Sequence, residues 1–380
     1  MFSRLVHDFS APENDFARIR AEREANGFPI LDLASANVNE ADIFFPEDIL
    51  RNALSQALLQ TRMYRPDSKG QRTARAAIAS YYGASTRAST NQPSKAADRI
   101  IITPGTSQSY LYLFRLLADT DGQILVPRPS YPLFDYIAKV AGVSLAYYDL
   151  EFRDSKWSIN LASFAAAISP SIKCLVLVSP HNPTGHVLSH DEVHFISDIT
   201  RLHQLPIIID EVFCEFVFGK DANELAQRSG FSDTPLVFTL NGFSKMFALP
   251  GLKIGWIKVD GESLLVDRAL ASLETFADTF LATSELSQFA APLIFDMGKP
   301  FLEHYRRRVL DRWKASAGLF TAPPEGGFYA IRSTGGRDEH EYALQLLERY
   351  GVLVHPGYFF GLPEGHIVFS FLKETTFDQW

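Results

Sequence analysis

The chain is poor in cysteine, has no long apolar run and carries none of the common nucleotide or zinc-protease signatures. Only Cys174 and Cys214 occur in 380 residues. Both fall in apolar runs that read as buried strands, so free thiols in a reducing cytoplasm are expected rather than a disulfide. No stretch approaches the ~18 apolar residues of a membrane span. The opening MFSRLVHDFS lacks an apolar core region, so no signal peptide is expected. The patterns GxGxxG, GxxxxGK with Ser or Thr, and HExxH are missing, which removes the signals for dinucleotide, P-loop and zinc-protease chemistry. Basic charge is also short: Lys and Arg number 36 against 44 Asp and Glu, a net −8. Neutralising phosphates takes clustered cations, so a nucleic-acid surface is not expected. His190 and His194 stand one helical turn apart, but no third ligand shares their spacing, so they read as a solvated face and no metal is expected.

Apolar residue is plentiful at 46%, enough for a sizeable core. Single cores stop growing at roughly 250–300 residues, so two domains are expected. Ser10 to Gly27 reads as a helix, with Ser10 and Glu13 at capping-box spacing, Pro12 in the first turn and Gly27 as the stop. A loop of small and polar residues, Ala34-Ser35-Ala36-Asn37, follows. From about residue 100, seven short apolar runs alternate with helical patterns. They begin at Ile100, Ile124, Leu145, Cys174, Ile207, Leu236 and Ile254. Several are continuously apolar, as strands covered on both faces are, and helical crossovers imply a parallel sheet. Ser189 and Glu192 form a second capping box, which places a helix start near His190. After residue 262 the pattern changes to a long helical stretch, a basic helix around Tyr305-Arg306-Arg307-Arg308, and strands at Gly327–Ile331 and His366–Phe371. The expected architecture is α/β: a mostly parallel seven-stranded sheet flanked by helices, with a smaller α+β domain.

Open parallel sheets bind ligands at the carboxyl ends of their strands. Four such ends stand out. Gly105-Thr106-Ser107 follows the first run and opens a helix, a good place for an anion. Asp210 ends an apolar strand, where a carboxylate is expensive without a partner. Asn182 lies between Pro180 and Pro183 in a rigid turn. Ser244-Lys245 follows Asn241-Gly242-Phe243, and a lysine among small residues can form a Schiff base. Each motif alone also has an ordinary structural reading: a capped helix, a surface carboxylate, a turn, a surface lysine.

Taken in order, the motifs resemble the aspartate-aminotransferase-like proteins, the class I/II aminotransferases of fold type I among pyridoxal-phosphate enzymes. The set is Tyr64-x-Pro66-x-x-x-Gly70, Gly105-Thr106-Ser107, Pro129-Ser130-Tyr131-Pro132, Asn182-Pro183-Thr184-Gly185, Asp210-Glu211 and Gly242-Phe243-Ser244-Lys245, spread over roughly residues 30 to 371. The resemblance implies pyridoxal 5′-phosphate as cofactor, with Lys245 holding it as a Schiff base and shuttling protons. Asp210 would pair with the pyridine nitrogen, making the ring an electron sink. Asn182 would bond the ring's phenolic oxygen, and Tyr131 would stack on its face. Gly105, Thr106, Ser107 and Ser244 would surround the phosphate. Tyr64 would reach a phosphate in the neighbouring subunit of a homodimer. The implied division is 1–45 as an N-terminal arm and part of the small domain, 46–270 as the large cofactor-binding domain, and 271–380 as the small domain. The last ten residues follow Ser370 directly, so no closing helix is expected there.

Three positions depart from the family. Phe213 replaces a tyrosine whose phenol contacts the ring oxygen. Lys253 replaces an arginine that forks onto the phosphate, keeping the charge but not the bidentate geometry. Val368 stands where a C-terminal strand usually carries the arginine that clamps the substrate α-carboxylate, and no arginine follows Arg349. Either another cation, such as Lys373, Lys69 or Arg332, takes that role, or the substrate is an amine without the usual carboxylate. A nonstandard reaction or an inactive relative is the third alternative. His355 is another nearby cation, and Phe359-Phe360 either line the substrate mouth or pack. The leading expectation is a cytoplasmic, dimeric aminotransferase moving an amino group from an amino acid or other small amine to a 2-oxo acid, with no nucleic acid or membrane partner. A lyase, decarboxylase or cyclase on the same scaffold is the alternative. A cofactor-binding regulator is a remote one.

Overall fold

The computed structural model describes residues 14–85, 93–219, 231 and 233–374. Its centre is an eight-stranded sheet in the order β2-β9-β8-β7-β6-β3-β4-β5. In chain order the strands are β1 (Leu31–Asp32), β2 (Ile100–Thr103), β3 (Gln123–Arg128), β4 (Ser144–Arg153), β5 (Lys156–Ile159), β6 (Ile172–Val178), β7 (Ile207–Asp210), β8 (Leu236–Gly242), β9 (Gly255–Gly261), β10 (Tyr329–Ser333), β11 (Val352–Leu353), β12 (His355–Pro356) and β13 (His366–Ser370). All seven expected runs are strands of the large sheet. Strands β4, β3, β6, β7 and β8 run parallel, and β9 is antiparallel to both β8 and β2. Every residue of β2, β7 and β8 is buried, which explains why these runs are apolar without alternation.

The eighth strand, β5, is the difference from the expected seven. It pairs antiparallel with β4 through a two-residue turn at Asp154 and Ser155, which take φ of 49° and 65°. That is the primed hairpin geometry, made here by Asp-Ser rather than the Asn-Gly or Asp-Gly that sequence patterns flag. Phe152 faces Trp157 across the pair at a ring separation of 5.6 Å.

The smaller sheet, β10-β13-β12, is antiparallel. The short β1 pairs with β11, and the Ser370 amide donates to the Leu33 carbonyl at 2.7 Å, so the N-terminal segment is tied to the C-terminal one. The first described helix spans Asp15–Ala25, with the Asn14 side chain accepting from the Phe16 amide. The expected Ser10–Glu13 cap lies outside the described residues, as do residues 375–380, where a closing helix would stand. The Ser189–Glu192 capping box is present and opens the helix His190–His203. The basic run forms part of the helix Lys299–Ala315.

Neither cysteine is in a disulfide, and only Cys174 is in a strand. Cys214 sits half-buried in the turn after β7, which ends at Asp210. The Asp210 carboxylate caps that turn by accepting from the Val212 amide, and the Cys214 amide donates to the Glu211 carbonyl. No helix among the described residues is long and apolar enough to cross a membrane.

Candidate active site

The carboxyl ends of β2, β6, β7 and β8 meet around one cavity of about 170 Å³. Register brings two of its loops together. Gly255 is the Cα partner of both Thr103 on β2 and Gly242 on β8. A Cβ on Gly255 would come within 2.8 Å of the Gly105 Cα, and one on Gly242 within 2.7 Å of the Ile254 carbonyl oxygen. Glycine at these two positions therefore lets the backbones approach, and sets the Gly105 loop beside the start of the helix Phe243–Met246 that carries Lys245.

Of the sequence-derived candidates, Gly105, Thr106, Ser107, Tyr131, Asn182, Asp210, Phe213, Ser244 and Lys245 all line this cavity. Tyr64 and Lys253 do not. Tyr64 is 72% exposed and lines a separate, smaller cavity with Ser68, Gln71 and Gln288. Lys253 is exposed at the end of the turn Pro250–Leu252, one residue before Ile254, which does line the cavity. Sequence reasoning missed Tyr110, Tyr329 and the carbonyl of Ala36. No local pattern marks them, since their roles come from strands and loops distant in the chain.

Lys245 Nζ donates to the Ala36 carbonyl at 3.2 Å, so the small-residue loop after β1 lies over the lysine. Burial disfavours its ammonium and lowers its pKa to about 8. Asp210 is buried, and that burial raises its carboxyl to about 6 against the opposing pull of two hydrogen bonds. One carboxylate oxygen accepts from the Val212 amide at 3.0 Å and the other from the Tyr110 hydroxyl at 2.8 Å. Asn182 is presented by a turn closed on itself. The His181 amide donates to the His186 carbonyl at 2.7 Å, and the Gly185 amide to the His181 carbonyl at 2.8 Å. Within this turn Asn182 Oδ1 is buried with no hydrogen-bond partner. The helix Thr106–Leu117 begins at Gly105 without a side-chain cap, which leaves its first amides open toward the cavity.

The model of the aminotransferase class I and II family matches residues 29–379. The chain belongs to the class I and II aminotransferases. Curated relatives include a putative aminotransferase, YugH, of Bacillus subtilis, 28% identical over 74% of this chain and 73% of its own length. An alanine aminotransferase of Mycobacterium bovis is 27% identical over 94% of this chain and 84% of its own. The fold is shared with the alanine aminotransferase of Pyrococcus furiosus at a TM-score of 0.86 and 21% identity, covering 98% of this chain and 95% of that one. The aminotransferase is thus an enzyme of amino-group transfer that uses pyridoxal 5′-phosphate, as its family does.

The cavity fits that cofactor chemically. An uncapped helix start with the Thr106, Ser107 and Ser244 hydroxyls nearby suits a phosphate. A buried carboxylate without a cation suits a protonated ring nitrogen, an orphaned amide oxygen marks a side chain waiting for a partner, and a lysine amine suits an aldehyde. Phe213 supplies no hydroxyl. It is buried edge-on against Phe328 at 5.0 Å. Phe213→Tyr is expected to lower the pH at which the bound cofactor's absorption changes by about one pH unit, because a phenol hydrogen bond favours the charged ring oxygen. A spectral pH titration of both proteins checks this, and an unmoved midpoint would refute it.

The position of the missing arginine is closed. Val368 is fully buried in β13, between Ile331 of β10 and His355 of β12. The three candidate substitutes are engaged elsewhere. Lys373 pairs with Glu40 at 3.2 Å, Lys69 with Glu274 at 3.3 Å, and Arg332 donates to the Leu319 carbonyl at 3.3 Å. None lines the cavity, and Lys245 is the one cation among the described residues that do. His355 is held neutral by burial and bonds the Ala34 carbonyl, which also accepts from the Tyr329 hydroxyl at 3.4 Å. Phe359 and Phe360 resolve to packing. Phe360 is buried against Tyr329 and His355, and its carbonyl accepts from the Ser130 amide.

Proposed function

We propose that the aminotransferase moves an amino group from an amino acid or other small amine to a 2-oxo acid, in the cytoplasm, as a homodimer in which Tyr64 reaches the neighbouring site. The observation that carries this reading is the convergence of the Lys245 amine, the Asp210 carboxylate and the Asn182 amide on one cavity beside an uncapped helix start. When bound, the cofactor supplies an electron-accepting ring that makes a proton on the donor's α-carbon acidic. Lys245 Nζ takes that proton and returns it at the neighbouring carbon. Its pKa of about 8 suits both directions near neutral pH. Asp210 keeps a positive ring nitrogen in a dry site, and Asn182 orients the ring through its oxygen. Ser107, Thr106 and Ser244 hold the phosphate at the helix start. Tyr131, in the cavity wall, stacks on the ring face. Exposure of Tyr64 on the isolated chain supports its use across a subunit boundary.

Aromatic lining and the engaged cations favour a donor bound mainly through apolar surface, without a side-chain clamp on an α-carboxylate from this protomer. A half-reaction screen of the purified holoenzyme against amino acids and simple amines tests the assignment. Conversion of the bound cofactor to its aminated form by one donor class is the expected result. If amino acids react and Lys373→Ala leaves their apparent affinity within twofold, Lys373 is not a substitute clamp. A ten- to hundredfold loss would show that it moves to the substrate, as expected for one charge-assisted bond. Ammonia release without the aminated form would assign a lyase instead.

A further inference from the structure

Asp210 has a donor whose chemistry is more specific than packing requires. Tyr110 lies one turn into the helix Thr106–Leu117, and its side chain is 3% exposed. Its ring meets Phe114 edge-on at 5.8 Å and Phe134 at 5.1 Å. A phenylalanine would satisfy those contacts equally well. The hydroxyl is the part that needs explaining, since a buried phenol without a partner is costly. It donates to Asp210 Oδ2 at 2.8 Å, while Oδ1 accepts from the Val212 amide at 3.0 Å. Two donors from two different elements therefore fix both oxygens, and so the plane of the carboxylate, at the base of the cavity.

We propose that Tyr110 is a positioning residue for the cofactor's ring nitrogen: its hydroxyl orients Asp210 and draws charge from Oδ2, so that the proton between carboxylate and ring stays on the ring. This rests on the reading of Asp210 as the ring-nitrogen partner. A hydrogen bond to the charged form of an acid weakens it as a base. In a dry site the carboxylate is the ring nitrogen's main competitor for the proton, and burial alone makes Asp210 a stronger competitor. Tyr110 opposes that tendency. It does so as a donor rather than as a titrating group, because burial and the neighbouring carboxylate hold its own proton tightly. The other ionisable groups facing this pair are Tyr131 and Tyr148, both raised by burial and neutral at working pH, and Lys245 across the cavity.

Tyr110→Phe keeps the ring and removes only the hydroxyl. Three readouts are expected to move together. The Asp210 carboxyl midpoint in apoprotein carrying ¹³C-labelled aspartate, identified by its loss in Asp210→Asn, rises by about one pH unit or more. The dissociation constant of pyridoxal 5′-phosphate, from tryptophan quenching of the apoprotein, rises about tenfold, the fold-change of one hydrogen bond to a charged group. In the holoenzyme kcat falls about tenfold by the same estimate while KM for the donor stays within twofold, since Asp210 does not touch the donor. The double variant Tyr110→Phe/Asp210→Asn is expected to bind the cofactor like Asp210→Asn alone, because the hydroxyl then has no carboxylate to act on. Wild-type midpoint and affinity in Tyr110→Phe would overturn the proposal, as would an equal loss from removing the hydroxyl in the Asp210→Asn background. If Asp210→Asn itself left affinity and kcat unchanged, the reading of Asp210 would fail, a distinct outcome. Should Tyr110→Phe not fold, the cycle is run with Tyr110→Met, and the same comparison across the two Asp210 backgrounds decides.

Discussion

Lys245→Ala is expected to abolish amino-group transfer, with kcat falling on the order of 10⁴-fold or more. On the proposed reading two functions are lost at once, the covalent attachment of the cofactor and the proton transfer at the donor's α-carbon, and the second alone is worth about 10²–10⁴. No replacement is at hand, because no other described residue lining the cavity carries an amine. Borohydride reduction of the wild-type holoenzyme should fix the cofactor to the chain, and the same treatment should leave the variant unlabelled by mass. Wild-type turnover in the variant would sink the assignment of the site. The lysine also predicts a pH dependence. Its pKa is lowered from 10.5 to about 8, so the neutral, nucleophilic amine dominates above that pH rather than only in strong alkali. Capture of the cofactor by apoprotein should quicken about tenfold per pH unit below 8 and level off above it, as followed by stopped-flow absorbance. A rate still climbing at pH 10 would contradict the desolvated environment.

Asp210→Asn carries the second large effect, and its two consequences have opposite signs. An opposite charge in contact shifts a pKa by about one to three units, so losing it should deprotonate the ring nitrogen and lower kcat by about tenfold to 10³-fold. The apoprotein, by contrast, should become more stable near pH 7. The carboxyl is raised in the folded state from 3.8 to about 6. The folded state therefore binds more protons than the unfolded one between those values, and stability falls as pH rises through that window. At pH 7 the buried anion costs roughly 3 kcal/mol at most, a cost that an asparagine does not carry. Urea unfolding of both apoproteins from pH 4 to pH 8 reads this directly. The wild type should lose stability across the window relative to the variant, and parallel curves would count against a desolvated Asp210. The same cost explains why cofactor binding should stabilise the wild type more than Asp210→Asn, since a cationic ring offsets the buried charge.

Much of the site is legible in the sequence because its residues follow local rules. Asp210, Asn182 and Lys245 each stand just past an apolar run, and the carboxyl ends of parallel strands are where such sheets place ligands. Continuous burial of β2, β7 and β8 makes those runs readable without any periodicity. The features that escaped are the ones without a local signature. The Asp154-Ser155 turn is a hairpin made by residues that do not advertise it, so β5 was not expected. Cys214 looked like strand because its neighbours are apolar, but the Asp210 carboxylate turns the chain two residues earlier.

The sequence by itself determined the α/β class, the seven main strands, and the order of the cofactor motifs, because strand burial and backbone turns depend on residues next to one another. It also determined that Val368 cannot clamp an anion. Only the tertiary structure decided which groups share the cavity. It set Tyr110 on Asp210 across 100 positions and the Ala36 carbonyl on Lys245 across 209. It drew Lys373, Lys69 and Arg332 into other partnerships, and it left Tyr64 and Lys253 outside the lining. Hydrogen bonds and desolvation act over a few ångströms, and residues that meet at that range are brought there by sheet register and packing, which no short stretch of sequence contains.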